Sequence, residues 1–236
     1  MKSRKLNVFL IMLCLGMFIC ICFLCVRGGY FNKILIKLGI KENTQEVNWA
    51  VESWSNCINQ LELDVDVAFF GDSITYGGDW AQYFPEISVI NLGYAGNNLI
   101  GMQSRVKQLV SANPEKVFIM AGINGLKHYG IDNTVKYYNQ LINEISAELP
   151  DTKIYIQSLL PIAVEKEDSY GSNEMIVECN DSLEKLAAEQ GMVYIDLWAL
   201  YQLDGTINSE YTSDGIHLRE DAYTLWVSEI THYVDE

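Results

Sequence analysis

Short apolar runs alternate with helical patterns from residue 65 to the end of the chain, and this alternation limits the fold more than any other feature. The runs are 65–70, 88–92, 116–120, 153–159 and 192–197. Each is strand-length and rich in β-branched or aromatic residues, as expected of strands buried on both faces. Between them, Val135, Tyr138, Ile142, Ile145 and Leu149 recur at spacings of three and four. Residues 173–190 carry Ile176, Leu183, Leu186 and Ala187, and Gly191 follows in the position of a helix C-cap. Residues 219–234 put Ala222, Tyr223, Trp226, Ile230, Tyr233 and Val234 on one face. A further helix is expected over 48–61, with Trp54 and Ile58 on one side.

Strands alternating with helices predict an α/β fold, a flavodoxin-like three-layer sandwich around a five-stranded parallel sheet. No internal repeat, low-complexity tract or second globular domain is visible. In such sheets ligands bind beyond the C-terminal ends of the strands. The residues that follow each run are therefore the candidates for chemistry.

The amino-terminal segment is of another kind. Residues 8–26 (VFLIMLCLGMFICICFLCV) contain no charge and no proline. As a helix these nineteen residues would rise roughly 28 Å, close to the hydrocarbon thickness of a bilayer. The exit, Cys25-Val26-Arg27-Gly28-Gly29, makes a poor cleavage site, so an uncleaved transmembrane signal-anchor is expected rather than a removed signal peptide. Basic residues flank both ends almost equally and so bear little on orientation; the N-terminus is expected inside with the rest of the chain outside because the segment opens the chain like an export signal. The organisation read here is 1–27 as cytoplasmic tip and anchor, 28–47 as a basic juxtamembrane stalk, and 48–236 as the folded domain. Residues 30–41 (YFNKILIKLGIK) suit either a plain stalk or an interfacial helix on anionic headgroups.

Seven of the sixteen Lys/Arg fall within residues 1–41, and all 31 Asp/Glu lie beyond them. A domain so acidic repels polyanions, which argues against nucleic acid as a partner. Of six cysteines, Cys14, Cys20, Cys22 and Cys25 sit in the apolar segment, leaving Cys57 and Cys179. The one Cys-x-x-Cys spacing, Cys22 to Cys25, lies inside the apolar segment, and Cys57 and Cys179 form none, so zinc and thioredoxin-like chemistry have no support in the domain. Two free buried thiols are expected, with a Cys57–Cys179 bridge as the alternative for a domain outside the cell.

Four segments carry possible chemistry. Gly71-Asp72-Ser73 closes the first run, and such a serine is ordinarily a turn or cap residue. No Gly-x-Ser-x-Gly elbow is present. The loop after the second run holds Gly93 and Gly96, suited to a positive-φ turn or to a backbone N–H aimed at an anion. Asn124 follows the third run, either as a turn residue or as an amide donor to an oxyanion. Asp214-Gly215-Ile216-His217 precedes the last helix, and among the three histidines only His217 has an aspartate placed to orient it. A serine hydroxyl needs such an imidazole and carboxylate to become a nucleophile. His128 and His232 read as structural, although His128 lies close enough to Asn124 to reach the rim.

Taken in order and spacing, these four segments resemble the SGNH hydrolases, or GDSL esterases and lipases, over residues 65–234. The resemblance implies Ser73 as nucleophile, His217 as general base and Asp214 as its orienter. It implies an oxyanion hole from the backbone N–H groups of Ser73 and Gly96 and the side chain of Asn124, with no metal or cofactor. Gly96 is favoured over Gly93 because the polar Asn97 follows it. Two positions depart from the family pattern. Gly125 stands where Asp often follows the asparagine, and Gly96-Asn97-Asn98 replaces Gly-Asp-Thr, which removes a carboxylate beside the pocket. Asp72 is expected to brace the turn under Ser73 rather than to react. The function expected is a membrane-anchored serine esterase removing short O-acyl groups, acetyl first, from carbohydrates. A lysophospholipase or lipase is the second reading, acyl transfer a third, and a non-enzymatic binding module the last.

Overall fold

The computed structural model describes Ile58 and residues 63–236. The expected anchor, the stalk, Cys57 and nearly all of the expected 48–61 helix lie outside the described residues; Ile58 itself is helical and buried. No helix among the described residues is long and apolar enough to cross a membrane.

Five parallel strands form the sheet, β1 Val67–Gly71, β2 Val89–Gly93, β3 Lys116–Met120, β4 Lys153–Gln157 and β5 Val193–Ile195. Their spatial order is β2-β1-β3-β4-β5, the flavodoxin-like order expected from the alternation. Every residue of the adjacent strands β1 and β3 is buried, because helices cover both faces there.

Strand ends differ from the apolar runs for identifiable reasons. The first strand extends one residue past Phe70, since Gly71 pairs with both Gly93 and Met120. The fourth stops at Gln157 although Ser158 and Leu159 are buried. There the Asn180 side chain takes the place of the ladder, accepting from Leu159 N–H at 2.8 Å and donating to its carbonyl at 3.0 Å. The fifth begins after Met192, whose N–H is used by the Ala187 carbonyl at the end of the preceding helix.

The helices are α1 Ser73–Tyr76, α2 Trp80–Tyr83, α3 Leu99–Gln103, α4 Val106–Ala112, α5 Ile123–Glu148, α6 Glu167–Tyr170, α7 Asn173–Gln190, α8 Trp198–Tyr201 and α9 Tyr223–Asp235. Helix α7 has the bounds read from sequence, with Ser172 capping Met175 N–H and Gly191 left-handed at φ 68°. The stripe from Val135 to Leu149 belongs to α5, which begins twelve residues earlier, at the rim, and breaks at Gly130 (φ 75°, ψ 169°). The last pattern opens with a 3₁₀ turn at Glu220–Ala222 before α9.

One aromatic row runs across the sheet. Phe69, Phe118 and Tyr155 are register partners on β1, β3 and β4, with ring centroids 5.3 and 4.5 Å apart. Trp80 stacks on Phe69 at 3.9 Å, and Trp226 of α9 meets Trp80 edge-on at 5.0 Å. Burial of such rings is the largest apolar contribution available to a side chain. It fastens α9, and with it the loop before α9, over the end of the sheet that carries β1.

Candidate active site

Ser73 is the first residue of α1, directly beyond β1. Asp72 caps that helix by accepting from Ile74 N–H at 2.9 Å. Side chains from three other elements hold the short helix. Tyr223 Oη donates to the Ile74 carbonyl at 2.6 Å and Trp80 Nε1 to that of Thr75 at 2.9 Å. Asn91 Nδ2 lies within 3.3 Å of Thr75, 3.1 Å of Tyr76 and 2.9 Å of Gly78 carbonyl oxygens. Gly93 lets α1 lie on the end of β2, for a Cβ there would stand 2.2 Å from Tyr76 N.

The loop bearing His217 is closed on itself. Thr212 and Leu218 form an isolated antiparallel bridge. Thr212 Oγ1 donates to the His217 carbonyl at 2.7 Å and accepts from Gly215 N–H at 2.9 Å. Gly215 has φ 85°, and a Cβ would lie 2.7 Å from that of Ala163. Inside this ring Asp214 Oδ1 accepts from the backbone N–H groups of Ile216 and His217 at 3.0 and 2.8 Å.

The remaining carboxylate oxygen of Asp214 lies 2.6 Å from His217 Nδ1, and His217 Nε2 lies 2.9 Å from Ser73 Oγ. Burial alone would raise the Asp214 carboxyl. The hydrogen bonds from the His217 ring and from the two backbone N–H groups, with the nearby imidazole, outweigh it and hold the group well below the usual carboxylate range. An ionised Asp214 accepts a hydrogen bond from Nδ1–H, which leaves Nε2 as the acceptor facing the Ser73 hydroxyl. The geometry can therefore activate a hydroxyl by proton transfer.

Asn124, in the first turn of α5, completes the cluster. Its Nδ2 donates to the Asn97 carbonyl at 3.0 Å and approaches Asp72 Oδ2 at 3.3 Å. Gly96, directly before Asn97, has φ 70°, whereas Gly93 is buried beneath α1. Position thus separates the two glycines, and Gly96 lies at the partly exposed rim. Gly125 leaves room for the Tyr129 ring, since a Cβ there would fall 2.7 Å from it. Asp72 is fully buried, and desolvation lifts its carboxyl to about 7 against the opposing Ile74 N–H bond and the charge of His217.

The structure brings Ser73, His217, Asp214 and Asn124 together, with Gly96 joined to them through Asn97. His128 packs edge-on against Tyr129, and His232 lies against Tyr233. Cys179 is a free buried thiol, pushed up to about 12 by burial. No group of three or more His, Cys, Asp or Glu among the described residues is placed to hold a metal.

One buried residue at the site went unread in the sequence. Arg105, between α3 and α4, bonds to Asn97 and to the carbonyl ends of β1 and β2. After residue 41 the chain has only two arginines, Arg105 and Arg219. A rare arginine between apolar Met102, Val106 and Leu109 was the available signal.

Comparison with known proteins places this geometry among relatives. The model of the GDSL-like lipase/acylhydrolase family matches residues 69–225. The N-acylneuraminate cytidylyltransferase of Escherichia coli is 25% identical over 212 residues, covering 86% of this chain and 49% of its own length. The chain thus spans about half of that relative. The mouse isoamyl acetate-hydrolyzing esterase 1 homolog is 28% identical over 191 residues, 64% of this chain and 74% of its own. A solved acetyl xylan esterase superposes with a TM-score of 0.61 at 21% identity, covering 72% of this chain and 100% of its own.

Proposed function

Because the chain belongs to the GDSL-like lipase/acylhydrolase family, a family of carboxylic ester hydrolases, we propose that Ser73 is its nucleophile, His217 its general base and Asp214 the group that orients the base. The Asp214–His217–Ser73 line of hydrogen bonds, 2.6 and 2.9 Å long, carries this reading. As Ser73 Oγ attacks the ester carbonyl, Nε2 takes its proton. The imidazolium is stabilised by Asp214 and then returns the proton to the leaving alcohol as the acyl-enzyme forms. Water, deprotonated by the same nitrogen, releases the acid and restores Ser73. The oxyanion is assigned to the Ser73 and Gly96 N–H groups and the Asn124 amide. One such donor contributes on the order of 3 kcal/mol to lowering the barrier.

Short O-acyl groups on carbohydrate are the proposed substrate, acetyl first. The fold likeness to an acetyl xylan esterase supports this reading, and the relative named for an N-acyl sugar acid supports only its carbohydrate part. The proposed location is the membrane, with the domain outside, supported by the uncharged residues 8–26. That segment also motivates the second reading, a lysophospholipase acting near lipid. A fluorophosphonate probe should label wild-type protein at Ser73 and leave Ser73→Ala unlabelled, and Ser73→Ala should lose ester hydrolysis while remaining folded. Wild-type-like turnover by Ser73→Ala removes the assignment. A chain-length series of p-nitrophenyl esters separates the substrates, with acetate preferred on the glycan reading and eight carbons or more on the lipid one.

A further inference from the structure

Arg105 is buried to 3% exposure with all of its donors engaged. Nε and Nη2 both donate to Asn97 Oδ1, at 2.9 and 2.6 Å. Nη2 also donates to the Gly71 carbonyl at 3.3 Å. Nη1 donates to the Leu92 carbonyl at 3.2 Å and to Gln108 Oε1 at 2.7 Å. The rings of Tyr94 and Phe70 lie 4.1 and 4.9 Å from the guanidinium carbon. Every acceptor is neutral, and among the described residues no carboxylate lies within ion-pair distance. Burial lowers the guanidinium to about 10, with Tyr94 opposing, so it keeps its charge at neutral pH.

A buried cation without a counter-ion is costly, and a fold retains one where the charge or the fork has a use. The peptides that Arg105 grips surround the reacting centre. Gly71 immediately precedes Asp72 and Ser73, and Leu92 lies at the end of β2. Asn97 follows Gly96 and offers its own carbonyl to Asn124 Nδ2. One planar fork therefore connects the strand that delivers Ser73, the loop that delivers Gly96 and, through Asn97, the amide of Asn124. A fork of this rigidity fixes relative position better than a lysine's point charge. Asn97 presents an amide oxygen where an aspartate would have neutralised the guanidinium.

We propose that Arg105 is a positioning residue for the oxyanion site, holding the three donors in register and biasing the pocket toward negative charge by its unneutralised guanidinium. The inference rests on the acyl-enzyme reading above. Donors and charges fixed before reaction act on charge that develops only in the transition state. Loss of Arg105 should thus appear in kcat and leave KM nearly unchanged.

The test uses full-length protein with p-nitrophenyl acetate as substrate, and turnover is normalised to fluorophosphonate-titrated sites so that unfolded protein is not counted. Arg105→Gln should lower kcat by roughly tenfold to a hundredfold, less than removal of a direct donor, with KM within about twofold. Arg105→Lys should recover part of the loss. Asn97→Asp keeps the fork and neutralises the charge, so it should lower kcat without lowering the melting temperature. In an Asn124→Ala background the Arg105→Gln effect should shrink, because the two residues serve one site. If Arg105→Gln does not fold, Asn97→Ala cuts the same link from the loop side and should give the same kcat-specific loss. Full kcat per titrated site in Arg105→Gln or, failing that, in Asn97→Ala overturns the proposal, as does strict additivity with Asn124→Ala. Wild-type protein that neither hydrolyses the ester nor takes the probe overturns the esterase reading and this one with it.

Discussion

Asp72 gives a prediction in which stability and activity move in opposite directions. Its carboxyl is fully buried beside Ser73 and is lifted from an ordinary 3.8 to about 7, chiefly by desolvation. The folded chain then holds this proton up to about pH 7, whereas the unfolded chain releases it near 3.8. Folding takes up a proton between those values, so this contribution to stability is complete below pH 3.8 and is lost as pH rises through 7. At ~1.4 kcal/mol per tenfold change, the difference between the two states lowers stability by ~4 kcal/mol at pH 8 and ~2 kcal/mol at pH 5 relative to strongly acidic pH. Asp72→Asn retains a capping oxygen for Ile74 N–H and carries no charge. Its stability relative to wild type should therefore improve by ~2–3 kcal/mol between pH 5 and pH 8, read from urea unfolding at both values. The same change sets an N–H₂ against Asn124 Nδ2, which now approaches Asp72 Oδ2 at 3.3 Å. Two donors repel, Asn124 shifts, and kcat should fall about tenfold or more. Parallel stabilities for the two proteins across that pH range would refute the account of Asp72.

Two further changes probe the rest of the site. Asp214→Asn should lower kcat by about 10²–10³ with little effect on KM; the larger loss known for a buried triad aspartate is reduced here because the Asp214 side chain is 46% exposed and water substitutes for it. Unchanged kcat would mean that another group orients His217. Gly93→Ala would put a Cβ 2.2 Å from Tyr76 N and should destabilise the domain by about 2–3 kcal/mol, measured by thermal or urea unfolding. An unaltered midpoint would show that α1 is not seated on β2 as described.

Much of the scaffold was legible because it depends on local pattern. Residues 116–120 and 173–190 have the bounds their sequence implies, since a buried central strand and a Ser172-to-Gly191 capped helix carry their own limits. The fourth strand ended early because the Asn180 side chain replaced ladder partners, an exchange that hydropathy does not register. The break at Gly130 lies inside a helix whose rim-side turns carry no clear apolar stripe. At the site, the Asp214–His217 pair was readable as a local unit. Its link to Ser73 came only with the order of four segments, for nothing local joins residues 144 positions apart. Arg105 was missed because a cation in a sequence reads as surface, and its main-chain acceptors, the Gly71 and Leu92 carbonyls, leave no mark in composition.

The closed ring from Thr212 to Leu218 has a consequence for how the chain becomes active during synthesis. His217 and its aspartate form a pre-assembled base, but it reaches Ser73 only when α9 seats Tyr223 on the Ile74 carbonyl and Trp226 on Trp80. Ser73, the proposed nucleophile, emerges from the ribosome 144 residues before His217, its proposed base. On the proposed mechanism a nascent chain therefore carries an unarmed serine, and ester hydrolysis should begin only when the final helix docks.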